Sequence, residues 1–275
     1  MIALFAVAAY LAFAILNVVF VATQVVVGRW IGATIREVSL GMGPTLMSGM
    51  WRNVQWRLKP LWIAGSTSYV GRENDDFDHS TFQGVYYEEI PKGSRALLMF
   101  LGPVSMIGFG GALLLIATLL PIGEVAVAAD LVGNVTPSAR PGLSVTGHPA
   151  TFSSQVRLVQ QAPLEFLLRL VTFDSLNGWG GLIGTFVTCG VAATHSLAAW
   201  ISCVGALCAG MGIANLAPIP CLNGGHLLLL GFETLFGRSE RVLTTSTYIG
   251  FLLIISFYGR ALLCDWRWLR ATGLL

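Results

Sequence analysis

The residues of this 275-residue chain that could do chemistry are few, and one stretch concentrates them. Asn215-Leu-Ala-Pro-Ile-Pro-Cys-Leu-Asn-Gly-Gly-His226 holds two amides, a thiol and an imidazole around Pro218 and Pro220. Two prolines two apart, followed by Gly224-Gly225, end a helix and unwind its backbone. In an apolar surrounding, unwound backbone persists only where protein buries it or where it lines a cavity. The stretch is therefore expected to build an internal site. Elsewhere the signals are thin. The histidines are His79, His148, His195 and His226. No two stand at i, i+4, the spacing that turns both imidazoles to one helix face for a metal. His195 and Ser196 are neighbours, but successive helical side chains point about 100° apart, so they do not pair as base and nucleophile. Cys189, Cys203, Cys208, Cys221 and Cys264 are odd in number and form no CxxC pair. They read as small buried hydrophobes and not as a disulfide framework. The acidic run from Glu73 to Asp78 lacks the glycine-centred spacing of a calcium loop and reads as a solvated surface.

The elements that must position these groups follow from composition. The chain is 55% hydrophobic and 11% charged, with a mean hydropathy of +0.72. Soluble domains carry about 25% charged residues, so too few polar groups remain here to coat a water-exposed surface. A net charge of +2 with no basic run excludes nucleic acid as a partner. A spanning helix needs about 20 mostly apolar residues. The pattern predicts four: 1–27, read as a retained anchor because no charged n-region or cleavage site precedes it; 96–121; a long 182–213; and 244–263. A shorter apolar stretch, 226–236, is expected to lie at the interface. Segment 28–95 has short β-like runs at Thr34–Leu40, Asn53–Leu58 and Ser68–Val70. It carries eight of the sixteen basic residues: Arg29, Arg36, Arg52, Arg57, Lys59, Arg72, Lys92 and Arg95. Segment 122–181 carries only Arg140, Arg157 and Arg169. The positive-inside bias places 28–95 in the cytoplasm and 122–181 outside, with both termini extracytoplasmic. The fold class expected is a membrane α-helical protein with about four spans and a small cytoplasmic β-rich insertion.

The proline-glycine stretch resembles the NxxPxPxLDGG motif of site-2 proteases, the intramembrane zinc metalloproteases of peptidase family M50. Further landmarks follow in that family's order. Gly28-Arg29-Trp30 and Val38-Ser-Leu-Gly-Met-Gly-Pro44 resemble the segment after its first helix. Ser68-Tyr69-Val70 resembles its GGYV strand. Arg95-Ala96 with Gly102-Pro103 resembles the start of its second helix, and Gly181-Leu-Ile-Gly184 its GPIG element. The resemblance implies a site-2 protease-like core in a bacterial inner membrane or its equivalent. It also implies a zinc ion held by two histidines and a carboxylate, with a glutamate as base.

At the positions the resemblance assigns to that chemistry, this chain differs. The HExxH of the first helix falls on residues 20–24, which read Phe20-Val21-Ala22-Thr23-Gln24, and the LDGG aspartate falls on Asn223. Met106, Leu182 and Thr67-Ser68 depart from the pattern as well, and the loop at 122–181 is short for a PDZ domain. The expectation is a chain without catalytic residues or zinc, hence no enzyme. It would serve as a scaffold, client-binding protein or accessory subunit for another membrane protein or transmembrane segment. Its vacated site would comprise Phe20, Val21, Gln24 and Asn223, and its motif cavity Asn215, Pro218, Pro220, Gly224, Gly225 and His226. Asn17 and Gln24, seven apart, share a helix face with Phe20 between them. Gln24 is expected to hydrogen-bond Asn223 or Asn215, and Phe20 to fill the volume of the metal. The alternatives are an active zinc endopeptidase that recruits His195 or His226 with Cys221, and a small-solute transporter.

Overall fold

The computed structural model describes residues 2–62, 64–71, 84–120, 182–237 and 239–271. The expectations for segment 122–181, the acidic run, His79 and His148 lie outside the described residues. The first 29-residue helix, α1 (Ile2–Trp30), has no charge before Arg29 and runs about 44 Å. Four strands follow: β1 (Ile35–Leu40), β2 (Met47–Trp51), β3 (Val54–Leu58) and β4 (Ser66–Tyr69). A 3₁₀ turn at Tyr87–Glu89 leads to α2 (Lys92–Leu119). Then come α3 (Leu182–His195), α4 (Leu197–Asn215), α5 (Asn223–Phe236) and α6 (Glu240–Ala271). Among the described residues four helices, α1, α2, α4 and α6, are long and apolar enough to cross a membrane.

The expected third span, 182–213, is not one helix. The chain breaks at Ser196, whose backbone is extended (φ −168°, ψ 161°) and whose hydroxyl accepts from the Ala199 N–H at 3.1 Å. This is an N-cap, which satisfies one of the orphan donors of a new helix. The reversal brings Cys189 Sγ to 3.7 Å from Cys203 Sγ. On an unbroken helix those residues would stand about 21 Å apart along the axis. The apolar stretch of α4 alone remains long enough to span, whereas α3, about 21 Å long, packs on α1 and falls short of a roughly 30 Å core.

The sheet has the order β2-β3-β1-β4, with β1 parallel to β3 and the other pairs antiparallel. Arg52 and Asn53 join β2 to β3 with φ of 51° and 58°. Two positive φ values in a two-residue loop match the twist of the flanking strands. The β-rich insertion lies along α1, not beyond its end. Val21 joins Ile35, Val38 and Val54 in one core cluster. Gly65 sits so close to Asn17 that a Cβ there would overlap the carboxamide oxygen. The Tyr10 hydroxyl donates to the Pro60 carbonyl at 3.3 Å, and the Tyr10 and Trp62 rings stand 6.1 Å apart. Tyr10 precedes Trp30 by about 30 Å of helix, so the insertion runs back over most of the length of α1.

The α2–α4 pair forms the tightest helix contact. A Cβ on Gly110 would lie 2.5 Å from the Gly205 carbonyl, and one on Gly212 would lie 2.6 Å from that of Pro103. Small residues at such crossings let backbones approach in an apolar medium. The Trp200 indole donates to the Ala8 carbonyl at 3.2 Å and fixes α4 to α1.

Candidate functional site

The proline-glycine stretch unwinds as its composition demands. After Asn215 ends α4, the chain turns through Ala217, whose carbonyl accepts from the Ile219 N–H at 2.7 Å. Cys221 adopts a left-handed φ of 89°, an uncommon conformation for a residue with a Cβ. Then α5 begins at Asn223. Gly224 lies against the backbone of Leu216 and Ala217, Gly225 against that of Ile219, and Gly250 of α6 against Pro220. Any side chain at these three positions would collide with main chain. The unwound segment is thus clamped from two helices.

Beside it, α1, α2 and α5 converge at Gly102. A Cβ there would lie 2.6 Å from Gln24 Nε2, 2.9 Å from Phe20 Cε2 and 3.4 Å from Asn223 Nδ2. Phe20, Gln24 and Asn223 thus come together around Gly102, with Val21 buried in the sheet-facing core. Their bonds differ from expectation. Gln24 Nε2 donates to the Leu98 carbonyl at 3.4 Å, while Asn223 Nδ2 donates to the Met99 carbonyl at 3.0 Å. Pro103 explains why: it has no N–H for the Met99 carbonyl in the regular helical ladder, and that carbonyl is free to take an outside donor. Asn17 shares the buried face, yet neither atom of its carboxamide has a partner among the described residues. Tyr69, at the end of β4, donates to the Gln24 main-chain carbonyl at 2.9 Å and reaches Oε1 at 3.3 Å. Burial, together with the nearby Tyr87, raises the Tyr69 pKa. Thr23 Oγ1 donates to Ser105 Oγ at 2.8 Å, and Ser105 to the Gly102 carbonyl at 2.7 Å. Thr23 and Ser105 were not singled out by sequence; a hydroxyl one residue before Gln24 was the available cue.

Zinc does not fit this pocket. Zinc is held by imidazole, thiolate or carboxylate, and the pocket offers an aromatic ring and two carboxamides whose N–H₂ groups face main-chain carbonyls. Among the described residues no three His, Cys, Asp or Glu side chains gather to hold a metal ion. Burial lowers the His226 pKa and raises that of Cys221.

A second polar region, absent from the sequence reading, lies farther along α5. Glu233 receives Arg95 Nη2 at 3.4 Å and Lys92 Nζ at 3.7 Å, and Lys92 also donates to the Glu233 main-chain carbonyl at 3.2 Å. The Arg95 guanidinium stands 5.7 Å from the Tyr87 ring centroid. Burial pushes the Tyr87 pKa up to about 12, although Arg95 pulls the other way. His226 and Glu233, seven apart on α5, face the same cavity of about 300 Å³ with Tyr87, Arg95 and residues of α6.

Apolar helices of spanning length, a sheet laid along the first of them and a clamped helix break beside a polar pocket fit a membrane-helical protein with an internal site. The chain belongs to peptidase family M50, whose model matches residues 8–257. Among curated proteins it is similar to Protease RseP of Yersinia pestis, 37% identical over 105 residues, which are 37% of this chain and 23% of the relative. It is likewise 37% identical over 105 residues to the regulator of sigma E protease of Haemophilus influenzae, covering 37% and 24%. Against regulator of sigma-E protease RseP of Escherichia coli the identity is 34% over 105 residues, covering 37% and 23%. The matched stretch spans about a quarter of the length of these relatives. The expectation that this chain is no enzyme is corrected here, because its relatives are named as proteases and its family is a peptidase family. The physical reason is one of scope. Four altered positions describe the chemistry of one pocket, whereas membership rests on the pattern from residue 8 to residue 257.

Proposed function

We propose that this M50-family chain engages an extended segment of another membrane protein along the outer edge of β2. One observation carries the reading. In the order β2-β3-β1-β4, strand β2 has a neighbour on one side only, and all five of its residues are exposed. The edge is apolar, with Met47 68%, Met50 72% and Trp51 57% exposed. It belongs to a sheet that runs back along α1. An unpaired strand edge beside apolar helices is costly in lipid and is relieved when an added strand takes up its N–H and C=O groups. The basic residues of segment 28–95 support a cytoplasmic origin for this sheet, with both termini on the opposite side.

The test is a photo-reactive residue at Trp51, used in native membranes. Adducts with transmembrane segments of client proteins are expected, and Met50→Lys should reduce them about tenfold by placing a charge on the edge. Adducts that are absent, or indifferent to Met50→Lys, would overturn the reading. A second reading, cleavage of the engaged segment, is favoured by the names of the relatives. A shortened client whose appearance requires this chain would support it.

A further inference from the structure

The cavity between α2, α5 and α6 shares Met99 with the amide pocket but no residue with β2, and its chemistry is mixed. Arg95 lines it, is only 7% exposed, and has Nε without a hydrogen-bond partner. A guanidinium carries five N–H donors in a planar fork. Here the carboxylate of Glu233 receives one of them, at 3.4 Å. Burying a charge with donors unpaired is expensive, so the site favours an acceptor-rich group beside Arg95. Lys92 and Arg95 both pair with Glu233, and Glu88 adds a second carboxylate to the cavity wall, so the site presents both signs of charge. Much of the remaining wall is apolar, including Met99, Leu229 and Leu243, with His226, Ser239 and Thr247 among its polar members. Lys92 opens α2, and the apolar stretch of α6 begins at Arg241. The cavity therefore stands where two candidate spans meet the headgroup level.

We propose that this cavity is a phospholipid site. The phosphate pairs with the Arg95 guanidinium, and the start of an acyl chain lies along Met99, Leu229 and Leu243. Planar bidentate pairing of guanidinium with phosphate is the strong form of this contact, and basic pockets between membrane helices are a recurrent place for it. Glu88 also lines the cavity; an ammonium on the same headgroup meets it, so phosphatidylethanolamine is the probe to use. A peptide segment in the groove would offer apolar side chains but no phosphate.

The experiment is native mass spectrometry of the full chain in mild detergent, titrated with phosphatidylethanolamine, diacylglycerol or glycerol phosphate. Phosphatidylethanolamine is expected to stay bound when diacylglycerol is lost. Glycerol phosphate should compete poorly, because it lacks the chain. Arg95→Lys keeps the charge and removes the fork, and should weaken retention about tenfold, the scale of one charge-assisted hydrogen bond. Leu243→Trp fills the cavity from a residue 40% exposed and should abolish retention while the melting temperature holds. If Arg95→Lys fails to fold, Leu243→Trp decides alone. Equal retention of diacylglycerol, full competition by glycerol phosphate, displacement of the lipid by an apolar peptide, or retention unchanged by Leu243→Trp would each overturn the proposal.

Discussion

At the first turn of α5 the amides of Gln24 and Asn223 are turned onto the Leu98 and Met99 carbonyls, and Phe20 joins them beside Gly102. Near the last turn of the same helix, Glu233 gathers Lys92 and Arg95 at the edge of a cavity, and an arginine nitrogen is left over. The first region has directed the N–H₂ groups of Gln24 and Asn223 at main chain, and its carboxamides carry no charge. The second holds opposite charges in partial burial and still has donors to offer. Helix α5 thus joins a pocket that behaves as core to a pocket that behaves as a binding site. Each region leaves a buried polar group without a partner among the described residues, the Asn17 carboxamide in the first and Arg95 Nε in the second, so charge is what sets them apart.

The largest effect should come from reversing the chemistry of the first region. Phe20→His, Val21→Glu, Gln24→His and Asn223→Asp together would install two imidazoles and two carboxylates where α1 and α5 approach Gly102 of α2. Structural zinc sites have apparent binding free energies on the order of 10 kcal/mol, so the quadruple variant should purify with about one zinc per chain. The unaltered pocket should carry none above background under the same elemental analysis. Stoichiometric zinc in the unaltered chain that is lost on Asn223→Ala would erase the contrast between the two regions.

Next in size is Glu233→Ala, which leaves Arg95 buried without its counter-ion. Removing one partner of a buried pair costs about 3–5 kcal/mol, and the 21% exposure of the Glu233 side chain places the expected loss near the lower end. Lys92→Ala, at a side chain 43% exposed, should cost under about 1 kcal/mol. Thermal unfolding in detergent reads both, and similar losses for the two variants would mean that burial of Arg95 is not what organises the region.

Smaller again are Gln24→Ala and Asn223→Ala, each expected to cost about 1 kcal/mol for one amide–carbonyl bond. They bond to successive carbonyls of α2 and not to each other, so the double variant should be additive within about 0.5 kcal/mol. A coupling well above that would restore the direct Gln24–Asn223 bond that the sequence suggested.

These differences show what could be read from residues and what could not. The helix break at 215–226 was legible because proline and paired glycine act locally, through a missing donor and an absent Cβ. The convergence of Phe20, Gln24 and Asn223 was legible through the order of the family landmarks. Their partners were not, because a main-chain carbonyl carries no letter, and only Pro103 hinted that Met99 had an acceptor to spare. The reversal at Ser196 was missed for a similar reason. Apolar residues on both sides sustain a helical pattern, and the serine N-cap was the sole local signal. Strand β2 escaped notice since Met-Ser-Gly-Met-Trp lacks the β-branched run that marks strands; its place is held by pairing with β3. The Arg95–Glu233 pair joins residues 138 apart in sequence, a distance at which no spacing rule operates.

The smallest expected effect separates the two regions by pH, since carboxamides do not titrate and the charged region does. Burial lowers the His226 pKa below its usual 6.5. Protonation is then harder in the folded than in the unfolded chain. The associated stability is complete above the unfolded pKa and is lost as pH falls through the lower folded value. The unfolding midpoint should therefore decline below about pH 6.5, and His226→Asn should flatten that limb while Gln24→Ala leaves it in place. On the alkaline side burial raises Tyr87 to about 12, so its stability is full below pH 10 and lost as pH climbs through 12. Tyr69, stacked 5.6 Å from it and also raised, steepens the same limb. The acid limb is thus the diagnostic one. Should it persist in His226→Asn, the charged region is not the source of the acid sensitivity, and the contrast drawn between the two ends of α5 loses its electrostatic half.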